Sequence, residues 1–298
     1  MPIIPIATED IAAGRALRTT FAHFWSTETG EPRTVYDRFV AATPTVAGTT
    51  VVPSADDAAP GIWVRPVVSS DTGVLLFLHG GGYGLGSATA YVGFVSHLAA
   101  RAGVSTFILD YPLAPEAQLP VALDLAVATL RRLRDRHPAV AVAGDSAGGG
   151  LALAALTQAT DQGIEVAGAA VFSPWTDLSL SGASVSAHAI GDPLLDPAYL
   201  RQSAAAYLGD TTADDPRASP LVNASGGLPP ILVQVGTDEI LLDDAVRYAE
   251  AVHTAGGQVE LQVWQGMHRV FQFNVEQLGS ARRAVASAGE FVAARLQT

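Results

Sequence analysis

Lysine and cysteine are both missing from this 298-residue chain, and all 17 basic residues are Arg. Without Lys there is no Schiff-base or PLP chemistry and no P-loop for nucleotide phosphates. Without Cys there are no thiol nucleophiles, disulfides or zinc–thiolate sites. Basic residues are also outnumbered by 29 acidic ones, for a net charge of −12. So acidic a surface repels phosphate backbones and anionic lipid headgroups, so neither nucleic acid nor stable membrane association is expected. No apolar run is long enough to span a bilayer. The N-terminal MPIIPIATED has no cationic start and meets Glu9 and Asp10 early, unlike a signal peptide, so a cytoplasmic location is the expectation.

Aromatics make up only 7% of the chain, whereas apolar residues make up 49%, mostly Ala, Val and Leu alongside abundant Gly. That balance suits helices packed closely on a parallel sheet. Residues 8 to about 42 read as helical, and two strand-like stretches follow, TTVVPSA and GIWVRPVV. From residue 73 strands and helices alternate. GVLLFLH, STFILDY, AVAVAGDS, VAGAAVFSP, PPILVQVG and VELQVW are the strands; helices are expected near 88–102, 119–136, 241–255 and 279–296. Repeated βαβ units imply a mainly parallel sheet with helices on both faces. More than fifty residues between Ser173 and Ile231 lack a strand signal, and a loop that long carries helices and a function of its own. The expected organisation is an N-terminal helical cap segment (1–45) and a catalytic domain (46–298) with a cap insertion at about 176–225.

Two glycine-rich segments carry chemistry. Gly144-Asp145-Ser146-Ala147-Gly148 joins a buried strand to an Ala/Leu-rich helix, the setting of a nucleophile elbow. The bend is so sharp that side chains two residues to either side of Ser146 would collide. The bland alternative, a strand–helix junction that binds phosphate, is weakened by the adjacent Asp145 and the missing Lys. His79-Gly80-Gly81-Gly82-Tyr83 closes the strand GVLLFLH, and such a run lets backbone N–H groups face a ligand. Gly81, Gly82 and Ala147 are the expected oxyanion donors, with His79 bracing the loop.

With these motifs the chain resembles the bacterial hormone-sensitive-lipase-like carboxylesterases, from about residue 70 onward. Asp110-Tyr111 with Leu113-Ala114-Pro115-Glu116, Ser173-Pro174-Trp175-Thr176-Asp177 and Asp192-Pro193-Leu194 extend the resemblance, with Pro112 where Arg is usual. It implies an α/β-hydrolase fold with a helical cap, and hydrolysis of short- to medium-chain esters without metal or cofactor. The implied partner is a small-molecule ester; a homodimer stays open.

On this fold the triad runs Ser, acid, His. His253 falls mid-helix, whereas His268 follows a strand on a loop and is the expected base. Relatives usually carry G-M-x-H where this chain reads Gly266-Met267-His268-Arg269, so Arg269 stands at the usual His position. Either the loop is remodelled so that His268 reaches Ser146, or the base is lost. The acid is Glu239 by alignment with the family's D-P-L-x-D; Asp238, shorter and adjacent, is the alternative. The expected mechanism is double displacement through an acyl-enzyme, with His268 as general base. The rival readings are a small-molecule-binding protein without turnover on the same scaffold, and an amide hydrolase.

Overall fold

A computed structural model describes residues 3–56, 58–187, 192 and 194–297. Pro193, named above, lies outside these described residues. The strands are β1 (Ile3–Ile4), β2 (Thr50–Pro53), β3 (Gly61–Arg65), β4 (Ser70–Leu78), β5 (Val104–Leu109), β6 (Val140–Asp145), β7 (Ala169–Phe172), β8 (Ile231–Gly236) and β9 (Val259–Trp264). They form one sheet in the order β1-β9-β8-β7-β6-β4-β5-β3-β2. Only the β2–β3 and β3–β5 pairs are antiparallel.

The central strands are buried on both faces, which is why they read as unbroken apolar runs. In β4, Leu76 and Leu78 enter one core while Leu75 and Phe77 enter the other. The first core packs against α4 (Val121–Arg136), α5 (Ser146–Asp161) and α8 (Leu242–Thr254). The second packs against α3 (Val92–Ala102) and α9 (Gly279–Leu296). An α/β-hydrolase architecture, as expected, results.

The N-terminal region, read as helical from residue 8 to about 42, is not one continuous helix. Glu31 and Pro32 divide it into α1 (Thr8–Thr27) and α2 (Pro32–Val40), since Pro suits a helix start but not its interior. β1 lies ahead of them and pairs with β9 at the sheet edge. Asp10 fastens α1 to the body by accepting hydrogen bonds from Gly279 N (2.8 Å) and Ser280 N (2.7 Å) at the start of α9. Between β7 and β8 the described residues hold no strand, only α6 (Ala183–Ser186), α7 (Pro197–Leu208) and a 3-10 turn at Pro220–Asn223. Asp196 caps α7 through Ala198 N (2.5 Å).

Candidate active site

β6 delivers Ser146 to the carboxyl edge of the sheet, where it opens α5. Its φ is +56°, in the left-handed region that non-glycine residues seldom occupy. The flanking glycines are sterically required. A Cβ on Gly148 would lie 2.1 Å from Leu78 O, and one on Gly144 would lie 2.4 Å from Gly148 O. The bend therefore aims the hydroxyl away from the sheet beside the positive end of α5.

The loop after β4 runs alongside. Gly81 (φ +114°) and Gly82 (φ +61°) adopt conformations open to glycine, and a Cβ on Gly81 would meet Leu85 O at 2.2 Å. Gly80 N donates to Asp145 Oδ1 (2.8 Å), Tyr111 OH donates to His79 O (2.7 Å), and His79 Nδ1 donates to Gly80 O (2.8 Å). This mesh fixes Gly81 and Gly82 beside Ser146, with which they line one cavity of about 200 Å³. Trp25 and Phe39 from the N-terminal helices, Leu194, Leu195 and Tyr199 from the insertion, and Phe273 supply most of its apolar wall.

On the far side of Ser146 stands a guanidinium. Arg269 Nη2 donates to Ser146 Oγ, and Arg269 Nη1 lies 3.9 Å from Glu239 Oε1. Arg269 is 4% exposed and Glu239 fully buried. Glu239 sits between β8 and α8, where its Oε2 accepts from Ser173 Oγ (2.8 Å) and Gly236 N (3.0 Å). Burial pushes its carboxyl up to about 7, against the opposing pull of Arg269. Asp145, also fully buried, is pushed up to about 7 for the same reason.

The match to known proteins is extensive. Residues 75–273 fit the family model described as alpha/beta hydrolase fold. An acetyl-hydrolase from Streptomyces hygroscopicus is 40% identical over 279 residues, covering 90% of this chain and 92% of the relative. An esterase from Acinetobacter venetianus is 35% identical over 228 residues, 75% of each chain. The crystal structure of an esterase from the bacterial hormone-sensitive lipase family superposes with a TM-score of 0.91 at 33% identity, covering 96% of this chain and 98% of that one. The chain belongs to the hormone-sensitive-lipase-like α/β-hydrolases.

Within this hydrolase the geometry brings together Ser146, the Gly81–Gly82 loop, Glu239 and Arg269, but not His268 or Asp238. The expectation that His268 reaches Ser146 is corrected. Its ring turns the other way, with Nε2 donating to Asn274 Oδ1 (3.0 Å) and an edge against Phe21 (5.2 Å). It is 1% exposed, and burial holds its pKa down at about 4. Adjacent residues of this loop project to opposite sides, and the register is pinned at both ends. Met267 O accepts from Asp238 N (3.0 Å), and Val270 N donates to Ser173 Oγ (3.0 Å). A Cβ on Gly236 would sit 2.0 Å from Met267 O, so the strand end and the loop are in tight contact. A one-residue slip would break all three contacts. Asp238, with a side chain 40% exposed, pairs instead with Arg18 Nη2 (2.5 Å) from α1.

Sequence reasoning missed Ser173, whose hydroxyl joins the Glu239 carboxylate to the Arg269 loop. The sequence places it at the end of that strand, but its φ of +47° and its hydroxyl contacts to Glu239 and Val270 N are visible only in three dimensions. It also gave no role to Asp192. That carboxylate accepts from Leu194 N (2.9 Å) and Leu195 N (3.0 Å) in the insertion and from Ile240 N (3.1 Å) beside Glu239. No group of three or more His, Asp or Glu among the described residues is placed to hold a metal. No described helix is long and apolar enough to cross a membrane.

Proposed function

We propose that this hydrolase cleaves short- to medium-chain carboxylic esters through an acyl-enzyme on Ser146. The observation that carries the reading is the position of the Ser146 hydroxyl, on a strained strand–helix bend and beside the glycine loop in an apolar cavity. Named relatives support it: they are called an acetyl-hydrolase and an esterase. Residues 1–45 and about 176–225 serve as the cap, a reading supported by Trp25, Phe39, Leu194 and Tyr199 in the cavity wall.

Ser146 Oγ attacks the ester carbonyl, and the new C–O bond leaves a negative oxygen for the N–H groups of Gly81, Gly82 and Ala147. Each such donor is worth about 3 kcal/mol in the transition state. Arg269 cannot act as the usual histidine does, because a guanidinium offers donors and no acceptor. Its charge instead favours the serine alkoxide, while the hydroxyl proton passes to water or hydroxide. Alcohol departure then depends on the alcohol's own acidity, so aryl esters react and simple alkyl esters lag far behind. Water hydrolyses the acyl-enzyme to return Ser146 and release the acid. The test is release of p-nitrophenol from p-nitrophenyl butyrate by wild type and Ser146→Ala. Equal rates for the two proteins refute the proposal.

One observation favours a second reading, a ligand-binding protein without turnover: the guanidinium occupies the place where a base would have to work. Saturable binding of an uncleaved ester, with no acylation of Ser146 by mass spectrometry, would support it.

A further inference from the structure

We propose that the Ser146–Arg269 cavity is a binding site for the carboxylate of a small acid with an apolar tail. The inference uses the cavity of the preceding reading but does not require turnover.

The cation is permanent and buried, and it is under-satisfied. Arg269 Nη1 has no hydrogen-bond partner, and neither has Glu239 Oε1, 3.9 Å away. At that separation the Glu239 carboxyl closes no hydrogen bond with the guanidinium, leaving one arm of the fork free. A carboxylate matches that fork geometry. One of its oxygens can accept from Arg269 while the other faces the backbone N–H groups of Gly81, Gly82 and Ala147, beside the positive end of α5.

The competing negative charges are weakened where it matters. Glu239 and Asp145 are both pushed by burial towards keeping their protons near neutral pH. His268, in the neighbouring position, is held neutral and adds no charge. The rest of the wall is apolar, with Trp25, Phe39, Leu194, Leu195 and Phe273 to cover a hydrocarbon tail. A polar head that meets a cation and backbone donors at one end of an apolar cavity is the usual layout of a small-molecule site. Esters and amides of the same tail lack the charge, so their carbonyl oxygen accepts only a single, neutral-acceptor hydrogen bond where the acid makes a charge-assisted one. If the hydrolase turns over esters, this ligand is its own acyl product, and the enzyme is inhibited by it.

The experiment is calorimetric titration with hexanoate and hexanamide at pH 7, on wild type and Arg269→Gln. Wild type should bind the acid at least tenfold more tightly than the amide, and Arg269→Gln should shrink that preference below twofold while still binding the amide. Equal binding of acid and amide by wild type overturns the proposal, as does a preference that survives in Arg269→Gln. Should the Gln variant not fold, the wild-type comparison decides alone. Neither arm reads catalysis, so a failed esterase assay and a failed titration are separate outcomes.

Discussion

The two walls around Ser146 are built on different principles. The elbow and the glycine loop are set by backbone: Gly144, Gly148 and Gly81 leave no room for a Cβ, and hydrogen bonds to Gly80 and His79 lock the turn. The opposite wall, carrying Glu239 and the 266–270 loop, is set by side-chain direction, because whichever of His268 and Arg269 points inward defines the chemistry. Backbone sites tolerate nothing and announce themselves in the sequence. Side-chain sites can change function by a single replacement on an unchanged scaffold.

The largest expected effect reverses that replacement. Arg269→His restores an acceptor beside Ser146 and should raise kcat/KM for p-nitrophenyl butyrate by about 10²–10⁴, the usual range for a general base. The gain should vanish with Ser146→Ala. A variant that folds, binds ligand and is no faster would show that the two walls are mismatched beyond this one residue.

Next is Gly148→Ala on the backbone side. With its Cβ 2.1 Å from Leu78 O and 2.3 Å from His79 O, both main-chain atoms, the elbow must shift. A loss of about 3 kcal/mol or more is expected in urea denaturation, in the range of severe core strain. Unchanged stability would mean that the bend is softer than its contacts imply.

Acid–base behaviour sharpens the contrast, since Asp145 belongs to one wall and Glu239 to the other. Both carboxyls hold their protons up to about 7 when folded, whereas unfolded carboxyls release them near 4. The folded state therefore binds more protons between about pH 4 and 7. The contribution of these two carboxyls to stability should fall as pH rises through that window and level off above it. Arg269 opposes the shift of both groups, so Arg269→Gln should extend the decline to higher pH. Buried His268, held down at about 4, contributes in the opposite sense, so denaturation curves at pH 5, 7 and 8.5 are compared with those of Asp145→Asn and Glu239→Gln; a pH dependence that neither variant alters contradicts the assignment.

The smallest effect is Asp238→Asn. Its ion pair with Arg18 is part-exposed, so less than about 1 kcal/mol should be lost, with ester hydrolysis within twofold of wild type. A large drop in rate would return Asp238 to the site.

How far the sequence is legible follows the same division. The buried runs that became β4 to β9 and the amphipathic stretches between them could be read because burial on two faces leaves unbroken apolar segments. The elbow could be read because only glycine fits around it. β1 could not, since two residues carry no periodicity, and the break between α1 and α2 rests on one Glu-Pro step. The inward residue of the 266–270 loop was legible only as one of two alternatives, since the family spacing puts Arg269 at the usual His position with His268 beside it. Its direction depends on contacts with Gly236, Asp238 and Ser173, all distant in sequence from Arg269, and a slip of one position exchanges the two side chains.

Asp192 adds a constraint on access. One carboxylate holds the amides of Leu194 and Leu195, which wall the cavity, and the amide of Ile240, the neighbour of Glu239. A ligand that pushes the leucines outward tugs on the loop bearing the acid. Widening the doorway for bulkier guests and keeping that acid in place are thus opposed demands on a single side chain.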